Sequence, residues 1–97
     1  MLTSKQRAYL RGLANTQESI YQIGKSGLTP ELITGLDEAL EARELIKLTV
    51  LNNCEDDVRT VAETAAGRTR SQVVQVIGKK FILYRESRKK PIITLKD

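Results

Sequence analysis

Ser19-Ile20-Tyr21-Gln22-Ile23-Gly24-Lys25-Ser26-Gly27-Leu28-Thr29-Pro30-Glu31 passes from one kind of secondary structure to another within a single short stretch. Ser19 to Ile23 is β-branched and aromatic, which predicts a short strand running directly into Gly24. Thr29 suits a helix N-cap, Pro30 the first helical position, and Glu31 the positive helix end. Gly24-Lys25-Ser26-Gly27 therefore joins a strand to a helix. Glycine tolerates positive φ and leaves room for a ligand, so backbone can approach an anion closely there. The N–H groups of the following helix are expected to face the same place, with Lys25 adding a full charge and Ser26 a hydroxyl.

The remaining elements follow outward from this junction. Upstream, Leu2, Tyr9, Leu10 and Leu13 share one side of a helical wheel over Thr3–Ala14, with Thr3 or Ser4 as cap. Arg7 and Arg11 lie four apart on the roughly opposite face. Downstream, Leu32, Ile33, Leu36, Ala39 and Leu40 form the inward stripe of a second helix whose polar side carries Asp37, Glu38, Glu41 and Glu44. Leu45–Leu51 predicts a strand, and Asn52-Asn53 a turn. A third helix is expected to hold Glu55, Asp56 and Asp57 in its first turn, to bury Val58, Val61, Ala62 and Ala65, and to end at Gly67. Val73–Ile77, Gly78-Lys79 and Lys80–Tyr84 have the form of a β-hairpin with lysines at its tip. Arg88-Lys89-Lys90-Pro91 is a basic loop, and Ile92–Leu95 either an edge strand or loosely packed chain. The order α-β-α-β-α-β-β predicts an α/β (α+β) fold in which a mixed four-stranded sheet is packed with helices.

At 97 residues the chain is expected to form one domain over 1–97. No apolar run approaches the roughly 18 residues of a membrane span, and the polar start Met1–Arg7 lacks a secretory pattern. A soluble, cytoplasmic protein with no membrane partner is expected. A lone cysteine, Cys54, allows no intrachain disulfide, and the absence of histidine removes the commonest general base and metal ligand. These features argue against an enzyme, a cofactor or a small-molecule substrate.

Net charge is +4, unevenly distributed. Residues 1–30 hold four basic and one acidic side chain, residues 31–70 five and nine, and residues 71–97 seven and two. The two ends are thus expected to build one positive surface, which suits a polyanion. Gly24-Lys25-Ser26 also matches the end of the nucleotide-binding Gly-x-x-x-x-Gly-Lys-Ser/Thr motif, but its first glycine would fall at Ser19. A KH domain has a similar Gly-x-x-Gly clamp, placed between two helices, whereas a strand precedes it here.

Several stretches together carry a resemblance to a known family. They are Leu2-Thr3-Ser4-Lys5-Gln6-Arg7-Ala8-Tyr9-Leu10-Arg11-Gly12-Leu13-Ala14, Ile23–Thr29, Glu44-Leu45-Ile46-Lys47, and Gln75-Val76-Ile77-Gly78-Lys79-Lys80-Phe81-Ile82-Leu83-Tyr84-Arg85. In this order they closely resemble the CRM domain (chloroplast RNA splicing and ribosome maturation) in its stand-alone bacterial, YhbY-like form. The resemblance implies a fold similar to the C-terminal domain of translation initiation factor three. It also implies an RNA-binding ribosome assembly factor acting on precursor large-subunit ribosomal RNA or the precursor large ribosomal subunit. By transfer, Gly24, Lys25, Ser26 and Gly27 form the RNA-binding loop, supported by Arg7, Arg11, Lys79 and Arg85. Three tyrosines, one phenylalanine and no tryptophan leave base stacking a minor part of such binding. A monomer is expected. Two rival readings are a module docking on a ribosomal protein through the acidic faces of helices two and three, and a metal-dependent nuclease using Glu55, Asp56 and Asp57.

Overall fold

The computed structural model describes residues 2–95. Its elements are α1 (Ser4–Ala14), β1 (Tyr21–Ile23), α2 (Pro30–Arg43), β2 (Leu45–Val50), α3 (Val58–Thr69), β3 (Gln72–Ile77) and β4 (Lys80–Tyr84), the expected order. One mixed sheet runs β1-β2-β4-β3. β1 and β2 are parallel, with Tyr21 opposite Leu48 and Ile23 opposite Val50. β4 lies antiparallel to both β2 and β3, with Leu48 opposite Phe81 and Val76 opposite Phe81 on its other side.

Strand alternation divides the apolar residues between two faces. Ile46, Leu48 and Val50 of β2 and Phe81 and Leu83 of β4 pack with Leu36 and Leu40 of α2 and Val61, Ala62 and Ala65 of α3 in the larger cluster. On the other face, Leu45, Ile82, Tyr84 and Val74 pack beneath Leu10 and Ala14 of α1. The sheet is therefore sandwiched between one helix and two. A β-bulge between Val73 and Gln75 turns Val74 toward the α1 side.

The helix starts follow their caps. Thr3 and Gln6 form a reciprocal capping box at α1, and Thr29 Oγ1 accepts the Leu32 N–H at 3.1 Å. The third helix departs from expectation at both ends. Asp57 is its N-cap, accepting the Thr60 N–H at 2.7 Å, so Glu55 and Asp56 precede the helix and no carboxylate lies in the first turn. Gly67 does not end it. A solvent-facing glycine costs only about 1 kcal/mol in a helix, and burial of Ala65, Ala66 and Thr69 carries the helix to Arg70, which closes it at φ 59°.

Two charged clamps tie the end of the chain to the body. Glu44 ends α2 at φ 66° and is fully buried. Its carboxylate accepts the N–H groups of Ser87 (2.6 Å), Ile92 (2.8 Å) and Ile93 (2.6 Å), while its carbonyl accepts the Arg85 N–H. Ile92–Leu95 is consequently not an edge strand, because the N–H groups of Ile92 and Ile93 are committed to a side chain. Ile93 and Leu95 instead pack against the smaller apolar cluster. One turn earlier, Glu41 accepts the Ser87 hydroxyl at 2.6 Å and the Arg88 and Lys89 N–H groups. The second clamp is Arg85, whose guanidinium pairs with Asp37 at 2.5 Å and donates to the carbonyl oxygens of Asp37 and Thr69.

The Ser87 hydroxyl, the Arg88 and Lys89 amides and the Arg85 charge hold the Glu41 carboxyl at about 2, below its ordinary 4.5. Burial by itself would raise Glu44, but its three amide donors outweigh burial and lower it. Depressed carboxyl values stabilise the fold above the unfolded value and lose that contribution as pH falls through the folded one. Unfolding midpoints in urea should therefore be nearly level from pH 7 to 5 and fall steeply between 4.5 and about 2. Glu44→Gln should cost about 2 kcal/mol at pH 7 and flatten that acid limb. Arg85→Ala should destabilise by a similar amount, about 2 kcal/mol, because the Thr69 carbonyl and Asp37 lose a charged donor.

Candidate nucleic-acid interface

Sheet topology brings distant segments to one end. β1 and β2 are parallel, so both finish there; β4, antiparallel to them, begins there, and β3 ends there. Three connections converge as a result: Gly24–Thr29, Leu51–Asp57 and the Gly78-Lys79 turn. Backbone hydrogen bonds stitch them together, Leu51 N–H to Ile23 carbonyl at 2.8 Å and Val50 N–H to Lys79 carbonyl at 2.7 Å.

Gly24-Lys25-Ser26-Gly27 is a closed turn in which the Gly27 N–H donates to the Gly24 carbonyl at 3.0 Å. Lys25 and Ser26 occupy its two corners and are exposed. Gly27 has φ +67°, a conformation that costs other residues about 1 kcal/mol or more. At Gly24 a Cβ would stand 3.2 Å from Asn53 Oδ1 in the neighbouring connection, a close approach to which the exposed Asn53 side chain would have to yield. Among the described residues the N–H groups of Lys25, Ser26 and Leu28 have no partner within the chain. These amide donors and one ammonium therefore remain available to an anion.

The start of α2 contributes less than its sequence predicts. Pro30 has no N–H, and the Leu32 N–H is already taken by Thr29 Oγ1. Only the Glu31 amide is left over from the first turn, beside its own carboxylate. The expectation of an open helix terminus aimed at the ligand is corrected accordingly: the donors belong to the turn itself.

The supporting cations separate into two groups. Lys79 joins the loop at this end of the sheet, through the hairpin whose first turn residue, Gly78, has φ +58° as a type II′ turn requires. Arg11 stands exposed on α1, one turn beyond Arg7 on the same flank. Arg7 is otherwise engaged, its Nη1 donating to the carbonyls of Val73 and Val74 at the bulge of edge strand β3. Arg85 lies at the opposite end of β4 with a side chain only 10% exposed, held by Asp37 and Thr69. Both arginines are structural clamps: Arg85 is largely buried, whereas Arg7 is tied down through Nη1 and keeps the rest of its guanidinium outside these bonds.

Lys80 was absent from the expected contact residues. It precedes Phe81, which faces the larger core, so alternation turns Lys80 to the opposite face, where it is exposed. Lys47 stands on that same face between Ile46 and Leu48. The alternation of buried and charged residues in each strand was the signal that locates them. Among the described residues no group of three or more acidic or cysteine side chains converges as a metal site, and no helix is long and apolar enough to cross a membrane. Asp57 of the acidic trio is occupied as a cap.

Known proteins are similar to this chain in sequence and in shape. The "Probable RNA-binding protein YqeI" of Bacillus subtilis (strain 168) is 48% identical over 95 residues, covering 98% of this chain and 99% of its own. An "RNA-binding protein" of Haemophilus influenzae is 31% identical over 86 residues, covering 89% and 87%. The solution structure of the hypothetical protein SAV1595 from Staphylococcus aureus superimposes with a TM-score of 0.82 at 49% identity, covering 99% of this chain and all of that one. The model of the CRS1/YhbY (CRM) domain matches residues 2–85. Its match takes in every helix and strand and the turn with three unpartnered amides, and the chain belongs to the CRS1/YhbY (CRM) domain family.

Proposed function

We propose that this protein is a non-catalytic, cytoplasmic RNA-binding factor in ribosome assembly. It acts on precursor large-subunit ribosomal RNA, holding phosphates with the Gly24–Gly27 turn and the adjoining basic surface. The observation that carries the reading is the meeting of Lys25, the free amides of Lys25, Ser26 and Leu28, and Lys79 at one end of the sheet. A phosphate can take amide donors and an ammonium together there, and such contacts need no particular base. The relatives named as RNA-binding proteins support the ligand class. The ribosomal part of the proposal rests on the family resemblance.

A second reading, docking on a ribosomal protein through acidic helix faces, has less of α2 to work with than the sequence suggests, because Asp37 and Glu41 are bonded to Arg85 and the chain around Ser87 while Glu38 stays exposed.

Binding of a labelled 20-nucleotide single-stranded RNA, titrated with salt, tests the site. Lys25→Ala with Lys79→Ala should remove two phosphate contacts and lower the slope of log affinity against log salt by about 1.4. Gly27→Ala should destabilise the fold by about 1 kcal/mol and weaken binding in the fraction that remains folded. The assembly role predicts co-sedimentation with precursor large-subunit particles, weakened by the same double substitution. Salt-independent affinity, or a double variant indistinguishable from wild type, would overturn the site.

A further inference from the structure

The face of the sheet on the α1 side is only half covered. Leu45, Ile82, Tyr84 and Val74 lie under α1, near the end where β2 begins. At the other end, beside the Gly24–Gly27 turn, a single cross-strand row traverses all four strands. Gln22 is opposite Thr49, Thr49 opposite Lys80, and Lys80 opposite Ile77. Their neighbours Ile23, Leu48, Val50, Phe81 and Val76 face the larger core, so these four side chains point away from it. Gln22 and Lys80 are exposed, and Ile77 is 57% exposed. Three inter-strand spacings make the row about 14 Å long. Lys47 stands two residues before Thr49 on the same face, and no acidic side chain occurs in the row.

Thr49 has a fixed hydrogen-bond polarity. Ser19 Oγ donates to the Tyr21 carbonyl at 3.2 Å, which can only accept. The Thr49 hydroxyl must then donate to Ser19 Oγ, 2.8 Å away. With its proton committed, the half-buried Thr49 oxygen can only accept from outside. An acceptor flanked by an ammonium and an amide matches a ribose: the 2′-OH donates to Thr49 while the adjoining phosphate meets Lys80 or Lys47. DNA lacks that donor. A protein partner would find little here to bury, since Ile77 is the one apolar member of the row.

We propose that the row Gln22, Thr49, Lys80 and Ile77, with Lys47 beside it, is a second contact surface for the sugar–phosphate backbone of the RNA held at the Gly24–Gly27 turn. Thr49 distinguishes ribose from deoxyribose. The inference rests on the RNA-binding reading above and places the path of the strand across the open sheet face.

The test uses the full chain with a labelled 20-nucleotide single-stranded RNA and the DNA of the same sequence. Lys80→Ala should weaken both about fivefold at 0.1 M salt and lower the salt slope by about 0.7. Thr49→Val, which keeps the shape and removes the acceptor, should weaken RNA about fivefold and leave DNA unchanged. Thermal melting by circular dichroism checks that each variant is folded, and the exposed Lys80 keeps the test sound if Thr49→Val is not. Wild-type RNA affinity in Lys80→Ala, alongside a weakened Lys25→Ala, would overturn the row while leaving the function standing. Equal losses on RNA and DNA for Thr49→Val would overturn the ribose assignment. A wild-type protein that binds neither nucleic acid would remove both proposals. A dimer in sedimentation equilibrium that Ile77→Glu dissociates without changing RNA affinity would assign the face to a second copy instead.

Discussion

The buried carboxylate of Glu44 is the joint on which the last segment of this fold is hung. In one residue it ends α2 with positive φ, passes the chain into β2, accepts the Arg85 amide on its carbonyl, and holds three amides of the final segment. A charge taken out of water is costly unless its acceptors are filled, and three amide donors fill them here. The arrangement also explains why the last segment forms no strand. Its N–H groups go to a side chain, and its apolar residues are left to cover the lower edge of the α1 layer.

Arg85 and Arg7 do similar work with opposite sign. Arg85 joins α2 to the end of α3 across the start of the last segment, and Arg7 satisfies carbonyls that the bulge in β3 leaves outside the ladder. An edge strand with open carbonyls invites pairing with another chain, and a guanidinium laid over them prevents it. The basic charge of the sequence thus divides into a structural share and a free share. Lys25, Lys79, Lys80, Lys47 and Arg11 belong to the free share, and four of these five border the loop end or the open half of the sheet.

The elements were largely legible because each carries its own local signal. Thr29-Pro30-Glu31 announces α2, and the glycine in Ile77-Gly78-Lys79 closes the last hairpin. The limits of α3 differ from the local pattern because the competing signals are tertiary. Asp57 becomes the cap through its bond to Thr60, and Ala66 and Thr69 are buried beyond a glycine that local propensity alone would treat as a stop. The loop was legible as a turn, yet its donors proved to be its own amides, since Pro30 and the Thr29 cap use up most of the helix terminus.

The sequence by itself determined the order of the helices and strands, the two-sided alternation within each strand, and the glycine-bounded turn with its lysine. These depend on periodicity and on neighbours a few residues away. Only the tertiary structure decided which cations are free, because Arg7 and Arg85 find their partners 66 and 48 residues away. It alone set Lys79 and Lys80 at the same end of the sheet as the Gly24–Gly27 turn, since strand order and direction choose the connections that share an end. The polarity of the Thr49 hydroxyl has the same origin: it is set by Ser19, 30 residues earlier, which only the pairing of β1 with β2 brings within reach.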